Sequence, residues 1–250
     1  MTGVKTESGS TFHAHKVILC TGAWTNSLLD TKGQLIPKGH CIGHIQLTPE
    51  EHERYSSIPI VDNEMWNVYY FPPFPENGIM KLAAVGSGYR AKQGPRMQSD
   101  HPNDGIPREA EEHLRRGIKQ SIPAFENKEM FDVRVCWDMD TADEDFLITP
   151  HPDIGGVFIA TGGYTPLLYL LLISGSHHGF KFLPRIGHYI ALMIEGKLPS
   201  EFSDCWKWRP GLEWKTDVER EGVLLGKNFE ELDGWEGSAH HGVMSHTWGN

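Results

Sequence analysis

The chain has 250 residues, with 33 acidic and 23 basic side chains and a formal net charge of -10. That length supports a sizeable core in one large domain or two small ones, and the acidic balance argues against nucleic acid and anionic membranes as partners. Four widely spaced cysteines (Cys20, Cys41, Cys136, Cys205) form no C-x-x-C pair, which argues against a cysteine zinc site and against a disulfide framework.

In chain order, Val4–Phe12 reads as a polar hairpin with Gly9-Ser10 near its turn, and Lys16–Cys20 as a buried-type strand that ends at Thr21-Gly22-Ala23-Trp24. A helix opens near Trp24 and runs to Leu29. Strand patterns follow at Gly43–Leu47, Asn67–Phe71 and Met80–Val85, separated by proline-rich turns such as Phe71-Pro-Pro-Phe-Pro75. Gly86-Ser-Gly88 reads as a turn closing the last of these. Pro107 then opens a well-marked helix with early glutamates, in which Ala110, Leu114, Ile118 and Ile122 recur at spacings of four. Strands return at Val133–Trp137, Phe146–Thr149 and Val157–Ala160. A helix beginning near Phe180 places Phe182, Ile186, Ile190, Met193 and Ile194 on one side, with Pro184 tolerable in its first turn. After Gly196 the pattern weakens into a Trp-rich tail. Strands, a helix, strands and a helix make an α+β layout on an antiparallel sheet.

Several kinds of chemistry lack their motifs. No G-x-G-x-x-G follows a strand, no G-x-S-x-G is present, and no H-x-x-x-H with an acid on a helix is present, so no metal is expected. The adjacent pairs His177-His178 and His240-His241 point apart in a strand. The apolar run Pro166–Ile173 is far shorter than the ~20 residues a membrane span needs. Neither a signal peptide nor a C-terminal SKL-type signal is visible, so a cytoplasmic or peroxisomal location is expected.

The stretches VILCTGAWTNSLLD, GHIQLTPEEHERY, GIMKLA, DHPNDGIPREA, VCWDMDTADEDFLITPHP, HGFKFLPRIG, CWKWRPG and DGWEG, from near Val4 to about Gly237, together resemble one family. It is that of the FAD-dependent amine oxidases related to monomeric sarcosine oxidase. The likeness is greatest to the fungal fructosyl amino acid oxidase branch, with L-pipecolate and saccharopine oxidases beside it. The resemblance implies a large mixed or antiparallel substrate-domain sheet with flanking helices, plus part of a Rossmann-like FAD-binding domain. On that reading residues 1–35 belong to the FAD-binding domain and 36–130 to the substrate domain. Residues 131–200 return to the FAD-binding domain, with an inserted loop at 164–175, and 201–250 form a C-terminal tail. It also implies oxidation of the C–N bond of a secondary amine or N-substituted amino acid, with O2 as acceptor and H2O2 as product. The rival reading is an inactive fragment acting as an interaction module. The family's N-terminal glycine fingerprint is absent from these 250 residues, so on their own they are expected not to hold FAD.

The resemblance also implies residue roles. Cys136 matches the cysteine that forms a thioether to the flavin; without the resemblance it reads as a small apolar strand residue. Lys81 matches the lysine that activates dioxygen; by alternation it faces away from Met80 and Leu82. Gly22, Gly179, Phe180 and Lys181 match cofactor contacts. Lys181 and Arg209 match holders of the substrate carboxylate, although Arg209 could equally stack on Trp206 or Trp208. Two departures stand out. Val85 occupies a position where relatives carry glutamate or histidine. The apolar run Tyr164–Ile173 interrupts a flavin-contacting loop in which His177 replaces a usual glycine, so it reads as a lid, a partner patch or a splicing feature.

Overall fold

A computed structural model describes residues 3–63, 65–91, 94–143, 145–162, 181–209, 211 and 227–237, without the side chains of 85–87. The strands are β1 (Gly3–Lys5), β2 (Thr11–His13), β3 (Val17–Leu19), β4 (Leu35–Gln46), β5 (Val61–Asn63), β6 (Val68–Tyr70), β7 (Ile79–Arg90), β8 (Met130–Thr141), β9 (Leu147–Pro150) and β10 (Val157–Thr161). The α-helices are α1 (Thr25–Leu28), α2 (Pro49–Tyr55), α3 (Arg108–Ser121), α4 (Leu183–Ile194) and α5 (Ser200–Ser203). The chain divides into two compact units, residues 1–37 with 138–216 and residues 38–137 with 217–250.

In the first unit β1 and β2 form the expected antiparallel hairpin, and Gly9 supplies the positive φ its turn requires. A second sheet has the order β3-β10-β9. Strand β10 alternates between two cores. Ile159 packs with Leu35, Met139 and Leu147, while Phe158 and Ala160 pack against Phe146, Ile148, Met193 and Trp206. Helix α4 brings Phe182, Ile186, Ile190, Met193 and Ile194 to that second cluster, as its spacing predicts. Pairing of β10 with β3 is parallel, Val157 opposite Val17. The strand at Lys16–Cys20 therefore keeps one parallel neighbour, which the sequence pattern does not reveal.

The second unit is built on a sheet of order β5-β6-β7-β4-β8. Met80, Leu82 and Ala84 of β7, with Val68 and Tyr70 of β6, meet Ala110, Leu114 and Ile118 of α3 in the largest buried cluster. Contact is so close at Gly117 that a Cβ there would lie 2.5 Å from Val68 Cγ2. Helix α2, which sequence reasoning passes over, starts on a capping box: Glu51 N donates to Thr48 Oγ1, and Thr48 N donates to Glu51 Oε2 at 2.8 Å.

One expectation is corrected here. Gly86-Ser-Gly88 is not a turn, because β7 continues through it to pair Tyr89 with Gly39 and Arg90 with Lys38. The pairing jumps from Gly39–Tyr89 to Cys41–Ala84, so residues 85–88 stand opposite His40 alone and the two glycines lie in a β-bulge. In the aromatic tail Trp206 is buried in the first unit, and Phe229 and Trp235 are buried in the second with ring centroids 4.3 Å apart.

Candidate active site

The five-stranded sheet has one face sealed by α3. Period-two alternation sends every second side chain to the other face, and the polar chemistry gathers there. Lys81 lies between the fully buried Met80 and Leu82 and so points to the second face. Its partner across the ladder is His44. Tyr69, opposite Ala83, shares this face, and the Phe71 ring centroid lies 5.9 Å from Lys81 Nζ. Cys136 reaches the same face by the same logic, because its neighbours Val135 and Trp137 pack against the α3-side core. It is half-buried and in no disulfide. The structure thus brings Lys81 and Cys136 to one face of one sheet.

Electrostatics on this face are one-sided. Arg134 Nη1 donates to both carboxylate oxygens of Asp132 at 2.7 Å, and His44 Nδ1 lies 3.4 Å from Asp132 Oδ2. Burial holds the His44 imidazole below the usual histidine range; Asp132 opposes that shift, while Arg134 and Lys81 reinforce it. Among the described residues no carboxylate is ion-paired with Lys81. His44, Tyr69, Phe71, Asp132 and Arg134 were all missed by sequence reasoning. Period-two alternation around Lys81 points to Tyr69 and His44, but only once the pairing is known.

Gly22, Lys181 and Arg209 belong to the first unit. Gly22 follows β3 with φ +50 and open space where a Cβ would sit, so its backbone is accessible. Lys181 is exposed just before α4, with its Nζ 5.6 Å from the Phe182 ring centroid. Arg209 does not stack on Trp206 or Trp208. Its Nε pairs with Asp143, and its Nη2 donates to the carbonyls of Phe146 (3.1 Å) and Cys205 (2.6 Å). Gln34 clasps its backbone, accepting from Arg209 N and donating to Arg209 O, each at 2.8 Å. One guanidinium nitrogen, Nη1, is buried without a hydrogen-bond partner among the described residues. Nearby, burial and then Asp143 push the Asp145 carboxyl above its ordinary range. Gly179, Phe180, His177 and the 164–175 segment lie outside the described residues, as does the Val85 side chain.

The donor set fits a flavin. A half-buried thiol and an ammonium with no ion-paired carboxylate among the described residues share a sheet face, where the thiol would hold the ring and the ammonium would oppose negative charge on it. Among the described residues, no group of three or more His, Cys, Asp or Glu side chains could hold a metal ion. Nor is any helix among them long and apolar enough to cross a membrane.

An ammonium and a thiol thus share one face of the five-stranded antiparallel sheet, the chemistry a flavin site would use. Comparison with known proteins agrees. A family described as FAD dependent oxidoreductase (DAO) matches residues 1–193. L-saccharopine oxidase of Schizosaccharomyces pombe is 34% identical over 220 residues, 82% of this chain and 47% of that protein. Monomeric sarcosine oxidase of Bacillus sp. (strain NS-129) is 31% identical over 208 residues, 80% of this chain and 48% of that protein. The crystal structure of the modified fructosyl peptide oxidase from Aspergillus nidulans superposes with a TM-score of 0.81 at 32% identity, covering 94% of this chain and 54% of that one. The chain belongs to the DAO family of FAD dependent oxidoreductases. It spans about half the length of these relatives.

Proposed function

We propose that this protein is the substrate-domain portion, with part of the FAD-binding domain, of an FAD-dependent oxidase. It acts on the C–N bond of a secondary amine or N-substituted amino acid of the fructosyl amino acid, sarcosine, pipecolate or saccharopine type. The supporting observation is the sheet face that Lys81 and Cys136 share. FAD, when bound, supplies the redox chemistry, taking a hydride from the amine and passing electrons to O2 to give H2O2. Cys136 tethers the ring through its thiolate, and Lys81 stabilises the negative charge that forms as O2 is reduced. Lys181 and the unpartnered Nη1 of Arg209 hold the substrate carboxylate. Gly22 offers open backbone to the cofactor.

The test joins the chain to the N-terminal half of a relative carrying the G-x-G-x-x-G unit. Flavin absorbance and peroxide production with an N-substituted amino acid are expected from the fusion. In it, Lys81→Met slows reoxidation by about two to three powers of ten, the range for losing a preorganised charge. A fusion that carries flavin but oxidises none of the four amine types overturns the reading.

A further inference from the structure

Lys81 carries an ammonium that no carboxylate neutralises among the described residues. The neighbouring acid, Asp132, is taken by Arg134 through two 2.7 Å hydrogen bonds and by His44 at 3.4 Å. What Lys81 does have is a ring: its Nζ lies 5.9 Å from the Phe71 centroid, within reach of the quadrupole of an aromatic face. Phe71 is itself held on several sides. Its N–H donates to the Lys81 carbonyl at 3.2 Å, and Tyr69 meets it edge-on, with centroids 5.6 Å apart at 82°. Pro72, Pro73 and Pro75 restrict the chain that follows. That loop is closed by Phe74 N donating to Ile79 O at 2.8 Å and Gly78 N donating to Phe74 O at 2.9 Å.

We infer that Phe71 is a positioning residue for Lys81, fixing the ammonium by its ring face while leaving the positive charge unspent. The reason is electrostatic. A carboxylate would hold a lysine as well, but it would cancel the charge that a developing anion needs. An aromatic face attracts the cation and leaves the net +1 in place. His44, across the ladder on the other side, is not an acid and adds no counter-charge. The role rests on the oxidase reading; the contact itself does not.

The experiment has two arms. The 250-residue chain, with its lysines reductively methylated using 13C, gives one methyl signal per lysine, and Lys81→Arg identifies the Lys81 signal. It is expected upfield of solvent-exposed lysines through the Phe71 ring current, to stay there in Phe71→Tyr and to move back in Phe71→Leu. A wild-type Lys81 signal among the exposed lysines overturns the inference without any variant. In the flavin-loaded fusion, Phe71→Leu is expected to slow the reaction of reduced cofactor with O2 about tenfold, with Phe71→Tyr restoring it and anaerobic amine oxidation unchanged. Equal loss in both half-reactions marks a merely structural ring and overturns the role. A fusion that oxidises no amine removes the oxidase reading and the Phe71 role with it, while the methyl signal still decides whether Phe71 holds Lys81.

Discussion

The two units handle their sheets in opposite ways. In the second unit a five-stranded sheet spends one face on α3, with Met80, Ala84, Ala110 and Leu114 fully buried, and carries Lys81, His44 and Cys136 on the other. In the first, a three-stranded sheet separates two small clusters. The contrast shows where rigidity resides. Lys81 and Cys136 stand on strands backed by a continuous core, which suits groups that must hold their geometry. Gly22 and Lys181 stand at the ends of short elements, and Arg209 is held by a clasp of hydrogen bonds rather than by a sheet.

Substitutions can break this contrast or sharpen it. The largest effect is expected from Leu114→Ala, which opens a cavity under the functional face and costs about 2–5 kcal/mol in urea unfolding. Hydrogen exchange should quicken in β6 and β7 more than in β9 and β10; equal acceleration everywhere would erase the distinction between the units. Gly117→Ala is expected to cost about 1–3 kcal/mol, because its Cβ overlaps Val68. Adding Val68→Ala should recover part of that loss, and no recovery would mean that the helix–sheet approach is not set by this contact.

Acid is a third probe. Burial lowers the folded-state affinity of His44 and His113 for protons. Where the folded value is depressed below the unfolded value of about 6.5, the unfolded chain binds more protons, so stability rises with pH. Stability is therefore fully present above pH ~6.5 and is lost as pH falls below it toward the folded values. Denaturation midpoints at pH 5.5 and 7.5 should show this, with a smaller difference in His113→Gln. An unchanged difference would show that His113 does not contribute. The smallest effect is expected in the first unit at the exposed pair Lys32–Asp153: Lys32→Met should leave the midpoint within experimental error.

Much of this was legible in the chain. The four-residue spacing of Ala110, Leu114 and Ile118 specifies α3 and its buried face, and the alternation Met80-Lys81-Leu82 specifies which way Lys81 points. Local signals were also present but unread, as with Thr48 and Glu51 at the start of α2. The rest depends on contacts between residues distant in sequence. No local pattern pairs Val17 with Val157, joins Gln34 to Arg209, or brings His44 beside Asp132. Gly86 and Gly88 misled because they lie in a bulge, beyond which the strand pairs again at Tyr89.

The central claim is that the sheet face shared by Lys81 and Cys136 is a flavin face. It is tested most directly by denaturing the flavin-loaded fusion in acid, digesting it and locating the flavin by mass spectrometry. The account predicts flavin on the peptide containing Cys136. Flavin released free, or attached at Cys20, Cys41 or Cys205, would contradict it.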